Sequence, residues 1–201
     1  MFLNYQDEIK ELQKKCYECK ICPLGQKEVD MEDPHVFASG KVPADIMVIT
    51  EIPKKIETIK KIPLCDISGQ QFNNEMLPLI GLTRKDIYVS NAVKCRPERN
   101  RIPTNQEIII CRFHIDAEIA LIDPKLIITL GNPALWAMCG IKGIIKNHGK
   151  IYQSRKWSNG KTYNVFALYH PSFVLQNRGK SNIQKEIQID LINLKKIVGE
   201  L

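Results

Sequence analysis

Four short runs of apolar residues stand out from an otherwise mixed chain: residues 45–50 (DIMVIT), 87–90 (IYVS), 126–130 (LIITL) and 165–169 (VFALY). Runs of this length that do not alternate with polar residues predict strands covered on both faces, as in a parallel sheet. Between them the spacing becomes helical. Residues 2–16 place Phe2, Leu3, Ile9 and Leu12 along one face. Thr104 and Glu107 have the spacing of a capping box and open a helix that Pro124 stops. Asn132 as N-cap with Pro133 in the first turn predicts another. A last helix from Ser181 aligns Ile183, Ile187, Leu191, Leu194 and Val198. Strands alternating with helices predict an α/β fold, a three-layer α/β/α sandwich around a central, mostly parallel four-stranded sheet. Ligands of such sheets bind beyond the carboxyl ends of the strands. Glu51, Asn91 and His170 follow or end the first, second and last runs, so they are expected to meet in one crevice.

Composition narrows the class. With 201 residues, 44% hydrophobic and 25% charged, the chain is expected to fold as a single domain over 1–201, which excludes disordered and fibrous classes. No apolar run approaches the roughly 18 residues of a membrane span. The N-terminus also lacks the basic-then-apolar order of a signal peptide, so a cytoplasmic location is expected. A net charge of +7 favours a polyanionic partner such as nucleic acid. Seven cysteines in a cytosolic chain do not form a disulfide framework, which leaves metal ligation or buried free thiols.

Cys19 and Cys22, separated by two residues, form a chelating pair, while Cys95 and Cys111 have fifteen residues between them. Four thiolates suit tetrahedral zinc or an iron–sulfur cluster, and the uneven second pair leans toward the cluster. Cys65 and Cys139, flanked by apolar residues, read as buried thiols. Cys16 offers an alternative partner for Cys19 at the same spacing.

Taken together, the segments CKICPLG, SNAVKCRPERNRIPTNQE with its later Cys111, LIITLGNPAL and YHPSFVLQNR resemble the iron–sulfur uracil-DNA glycosylases of the family 4 type. That resemblance implies a 4Fe-4S cluster on Cys19, Cys22, Cys95 and Cys111. It also implies monofunctional hydrolysis of the N-glycosidic bond of uracil, in single- or double-stranded DNA, within base-excision repair. Glu51 of TEIP would act on the attacking water, Asn91 would read the base, and His170, followed by Pro171 and Ser172, would stabilise the departing base. Leu64 and Ser172 would line the base pocket, and Lys94, Arg96, Arg101 and Arg178 would meet DNA phosphates. Thr50 and Lys54 replace two glycines of the family's first motif, and Leu64 replaces its stacking aromatic. These departures keep two other readings open: a glycosylase-fold protein of little or no activity that binds DNA or a replication or repair protein, and a glycosylase for another modified base.

Overall fold

The computed structural model describes residues 4–201, so the expected contributions of Phe2 and Leu3 to the first helix lie outside the described residues. Helix α1 (Tyr5–Tyr17) and the cysteine-bearing turn after it lead to strands β1 (Ser39–Gly40) and β2 (Ile46–Thr50). Helices α2 (Lys55–Lys60) and α3 (Ile67–Gln71) precede β3 (Ile87–Asn91). The long helix α4 (Asn105–Ile122) carries the chain to β4 (Leu126–Leu130), then α5 (Asn132–Cys139), α6 (Ile144–Asn147) and β5 (Ile151–Gln153). Strand β6 (Asn164–Leu168), α7 (Pro171–Gln176) and α8 (Ser181–Gly199) complete the fold.

The sheet runs in the order β1-β3-β2-β4-β6-β5, with the four inner strands parallel and both edge strands antiparallel. The four apolar runs are those inner strands. The expected four-stranded sheet is therefore six-stranded. Two residues in β1 are too few to leave a pattern, and β5 exposes both Ile151 and Gln153, so no apolar run marks it. Short polar edges of this kind also resist pairing with another chain.

Each inner strand feeds two cores because successive side chains point to opposite faces. Met47, Ile49, Tyr88, Ile127 and Val165 pack with Ile108, Ile115 and Ile119 of α4 and with α5. On the other face, Ile46, Val48, Val89, Ile128 and Phe166 meet Leu64, Phe72 and Leu77, and Ile187, Leu191 and Leu194 of α8. Helix α4 begins as its sequence predicts: the Glu107 N–H donates to Thr104 Oγ1 at 3.2 Å, and the Thr104 N–H donates to Glu107 Oε2 at 2.7 Å. Helix α5 starts one residue earlier than expected. Gly131 is the N-cap, at φ +89°, and Asn132 already lies in the helix, its Oδ1 accepting from the Gly143 N–H at 2.8 Å.

Candidate active site

Because β3, β2, β4 and β6 are parallel, their carboxyl ends form one edge. Thr50 pairs with Asn91 across that edge, and Leu130 with Leu168. Gly131 stands between the side chains that follow these ends: a Cβ built there would overlap the Glu51 carboxylate and lie 3.2 Å from His170 Cβ. Its positive φ and this close approach both require glycine. Glu51 and His170 thus meet at Gly131, while Asn91 lies across from Thr50, whose Oγ1 is 3.1 Å from His170 Nε2.

Burial sets the protonation of the two titratable groups. It pushes the Glu51 carboxyl up to about 7, against the opposing pull of Lys54 and of the Asn132 N–H at the start of α5. It pushes the His170 imidazole down to about 3, helped by the positive charge of Lys54. The neutral ring has a defined tautomer. The Ser172 N–H donates to Nδ1 at 3.2 Å, so the ring hydrogen sits on Nε2, which lies 3.1 Å from Thr50 Oγ1. The Ser172 hydroxyl is 2.7 Å from the same Nδ1. Ser172 therefore orients the imidazole.

Asn91 is the most unusual group in the crevice. It is 1% exposed, and neither Oδ1 nor Nδ2 has a hydrogen-bond partner among the described residues. Leaving a buried amide unpartnered costs about 1–3 kcal/mol per group. Such a group in a crevice is poised for a ligand presenting both a donor and an acceptor.

Residues 37–191 match the family model described as the uracil DNA glycosylase superfamily. The chain belongs to this superfamily. It is 32% identical over 199 residues to the type-4 uracil-DNA glycosylase of Saccharolobus solfataricus, covering 96% of this chain and 86% of that one. It is 31% identical over 194 residues to the type-4 enzyme of Thermotoga maritima, covering 95% of each. Similarity to the Archaeoglobus fulgidus type-4 enzyme is 28% over 199 residues, covering 96% and 95%. In this member of the uracil-DNA glycosylase superfamily the cysteines lie on the α1 and α4 side of the sheet.

The thiols of Cys16, Cys19, Cys22 and Cys111 all act electrostatically on Cys95. Cys22, Cys95 and Cys111 share one buried cluster, and Cys16 is fully buried. The two cysteine segments are also tied by polar contacts. His35 Nε2 donates to the Cys19 carbonyl at 2.8 Å while the His35 backbone bridges to Cys95. The Lys94 N–H donates to Cys111 Sγ at 3.2 Å. Cys65 and Cys139, expected to be buried free thiols, are free but only partly buried.

Two of the four cations expected on DNA are instead interior. Lys94 is 0% exposed, with Nζ 2.6 Å from Glu118 Oε1 and bonded to Ser90. Arg96 is 4% exposed, 2.9 Å from Asp30, and donates to Asn100 Oδ1 at 2.8 Å. Neither can reach a phosphate from there. Arg101 stays partly exposed in a two-pronged contact with Glu107, and Arg178 stays exposed beside Glu75 and Gln71. Replacing Lys94 with Met is expected to destabilise the protein by about 3–5 kcal/mol by stranding the Glu118 carboxylate. Thermal melts check this, and Lys94→Met with Glu118→Leu is expected to recover most of the loss.

The sequence reading missed the part played by Lys54 and Glu57. Lys54 Nζ donates to Asp66 Oδ2 and Ser68 Oγ, both at 3.2 Å, and its charge acts on both Glu51 and His170. The Glu57 carboxylate accepts from the Lys54 N–H at 2.6 Å and from the Leu64 N–H, which holds Leu64 at φ +54°. Leu64 itself is 2% exposed and packs in the apolar layer with Val48 and Phe72.

Proposed function

We propose that this protein hydrolyses the bond between uracil and deoxyribose in DNA, in the manner of its type-4 relatives, with Asn91, Glu51 and His170 as the working residues. The observation that carries this assignment is the buried amide of Asn91, without a partner among the described residues, at the end of β3 across from Thr50. Uracil presents an N3–H donor beside an O4 acceptor. One amide satisfies both with Oδ1 accepting and Nδ2 donating, and held in that orientation it leaves buried groups unpaired against cytosine, which offers the reverse pattern.

A base can reach such a crevice only after leaving the stack. As the C1′–N1 bond breaks, its electron pair stays with the base and negative charge gathers on N1 and O2. His170 stays neutral beside that charge and stabilises it by hydrogen bonding, with no proton transferred. The sugar carbon becomes electron-poor, and ionised Glu51 stabilises it while accepting the proton of the attacking water. Water oxygen bonds to C1′, leaving an abasic site and uracilate, with the proton on Glu51. Arg101 and Arg178 are the cations left to meet flanking phosphates, each exchanging a carboxylate partner for a phosphate.

Four thiols are the donor chemistry of a 4Fe-4S cluster, although among the described residues no three His, Cys, Asp or Glu side chains are already gathered as metal ligands. Cys19, Cys22, Cys95 and Cys111 would hold it, and the Lys94 N–H directed at Cys111 Sγ is the kind of donor that stabilises a coordinated thiolate. When bound, the cluster supplies cross-links between the α1 turn and the Cys95 loop, not a reaction step. Replacing Cys95 with Ser is expected to bleach the broad visible absorption of the purified protein, lower its iron content and depress its melting temperature; an iron-free, zinc-loaded wild type would contradict the assignment.

The activity is tested with an oligonucleotide carrying one uracil. Purified protein is expected to release free uracil and leave a strand that breaks only after hot alkali. An intact strand and no free uracil, at concentrations where the protein binds that DNA, would leave the non-catalytic DNA-binding reading in its place.

A further inference from the structure

The donor on His170 that faces a departing base is already engaged in the free protein. With Nδ1 accepting from the Ser172 N–H, the hydrogen on Nε2 is directed at Thr50 Oγ1, 3.1 Å away. Both side chains are buried, Thr50 at 2% and His170 at 8% exposure. Thr50 closes β2 directly across from Asn91, so its hydroxyl borders the place where the base edge is read. Having accepted from His170, that hydroxyl still has one hydrogen to give. No other hydrogen bond of Thr50 Oγ1 is made among the described residues.

We infer that Thr50 is a further catalytic residue, its hydroxyl donating directly to the carbonyl oxygen of the departing uracil while His170 polarises it from behind. The inference rests on the glycosylase assignment given above. The chain runs in one direction, from Ser172 to Nδ1, from Nε2–H to Thr50 Oγ1, and from Oγ1–H to the base. No proton changes owner. The C1′–N1 electron pair goes to the base, and the charge growing on its oxygen strengthens every bond in the series, since hydrogen bonds in a low-dielectric site polarise one another. A donor whose bond strengthens only as charge develops stabilises the transition state more than the bound substrate. The β-branch also restricts the side chain's rotation, which keeps the hydroxyl aimed. Threonine in place of glycine at this position therefore adds a donor to the site as well as bulk.

Thr50→Val keeps the shape and removes the hydroxyl, while Thr50→Ser keeps the hydroxyl. In single-turnover release from a single-uracil oligonucleotide, Thr50→Val is expected to be about 100-fold slower with DNA binding little changed, and Thr50→Ser to stay within about fivefold of wild type. A cycle with His170→Ala separates a series from two parallel donors: because His170 acts through the Thr50 hydroxyl, Thr50→Val with His170→Ala is expected to be no slower than Thr50→Val alone. The nitrogen resonance of His170 Nε2 in the free protein is expected to keep its attached hydrogen in Thr50→Val but to shift, and thermal melts check that each variant is folded. With the wild type active, a folded Thr50→Val at wild-type rate overturns the inference, as do losses that multiply in the double variant. A wild type that releases no uracil overturns the glycosylase assignment and this inference with it.

Discussion

Glu51→Gln is expected to slow uracil release by about 10³-fold at neutral pH and at the same time to make the protein more stable. The carboxyl is held at about 7 in the fold against 4.5 for the ordinary side chain, because burial disfavours its charged form. Ionised Glu51 is the reactive form, so the wild-type rate should rise with pH through about 7 and then level off. His170, pushed down to about 3, contributes no limb near neutrality. In Glu51→Gln the limb should disappear. The stability effect follows from linkage. A carboxyl that binds its proton more tightly in the fold than in the unfolded chain imposes no cost below pH 4.5, and the cost grows until pH passes about 7. The full difference is worth about 3 kcal/mol. Glu51→Gln should therefore melt higher than wild type at about pH 8 and equally at about pH 4. A rate limb that survives in Glu51→Gln would assign the titration to another group.

Asn91→Leu should show the same opposition between activity and stability for a different reason. The substitution conserves volume and removes two buried polar atoms without partners, which should raise stability by about 1–3 kcal/mol. Uracil release should fall by at least about 100-fold because the base loses both edge contacts. Urea unfolding and single-turnover kinetics on one preparation check both halves. A variant that loses stability as well as activity would mean that Asn91 serves the fold rather than the ligand.

These two residues were legible in the sequence because strand ends are. A run buried on both faces marks an inner strand, and the residue just past a parallel strand falls on the ligand edge whatever the rest of the chain does. The same rule puts Glu51, Asn91 and His170 at that edge from the sequence alone. It could not place the cations. Lys94 in a basic segment reads as solvated, since its partner Glu118 sits on α4 and nothing local announces the pair. Arg96 reads the same way until Asp30 is brought to it from the segment before β1. Nor does proximity to His170 in sequence say which atom Ser172 serves. The Thr50–His170 bond joins residues 120 positions apart, and the parallel register of β2, β4 and β6 brings their ends to one edge. The shift of the α5 N-cap from Asn132 to Gly131 has a similar origin. The close approach of Glu51 demands glycine there, a tertiary requirement that outweighs the local preference for asparagine.

Glu51, Glu57 and Asn91 also show where this fold holds unfavourable free energy. Both carboxyls are pushed up to about 7 by burial, and the Asn91 amide is buried without partners. The Glu57 cost has a structural return, because its carboxylate fixes the Lys54 and Leu64 backbone. Glu51 accepts one backbone bond, from the Asn132 N–H, and the Asn91 amide has none among the described residues. Their cost is explained by a ligand that supplies what the fold withholds.

The most direct measurement compares single-turnover release of uracil and cytosine from one oligonucleotide sequence, with the two bases exchanged at a single position. The amide of Asn91 matches the N3 and O4 edge of uracil and mismatches that of cytosine, so uracil should be released and cytosine retained, with a rate ratio of at least about 10³. Release of both bases at similar rates, or release of neither from DNA that the protein binds, would contradict the assignment of this crevice to uracil.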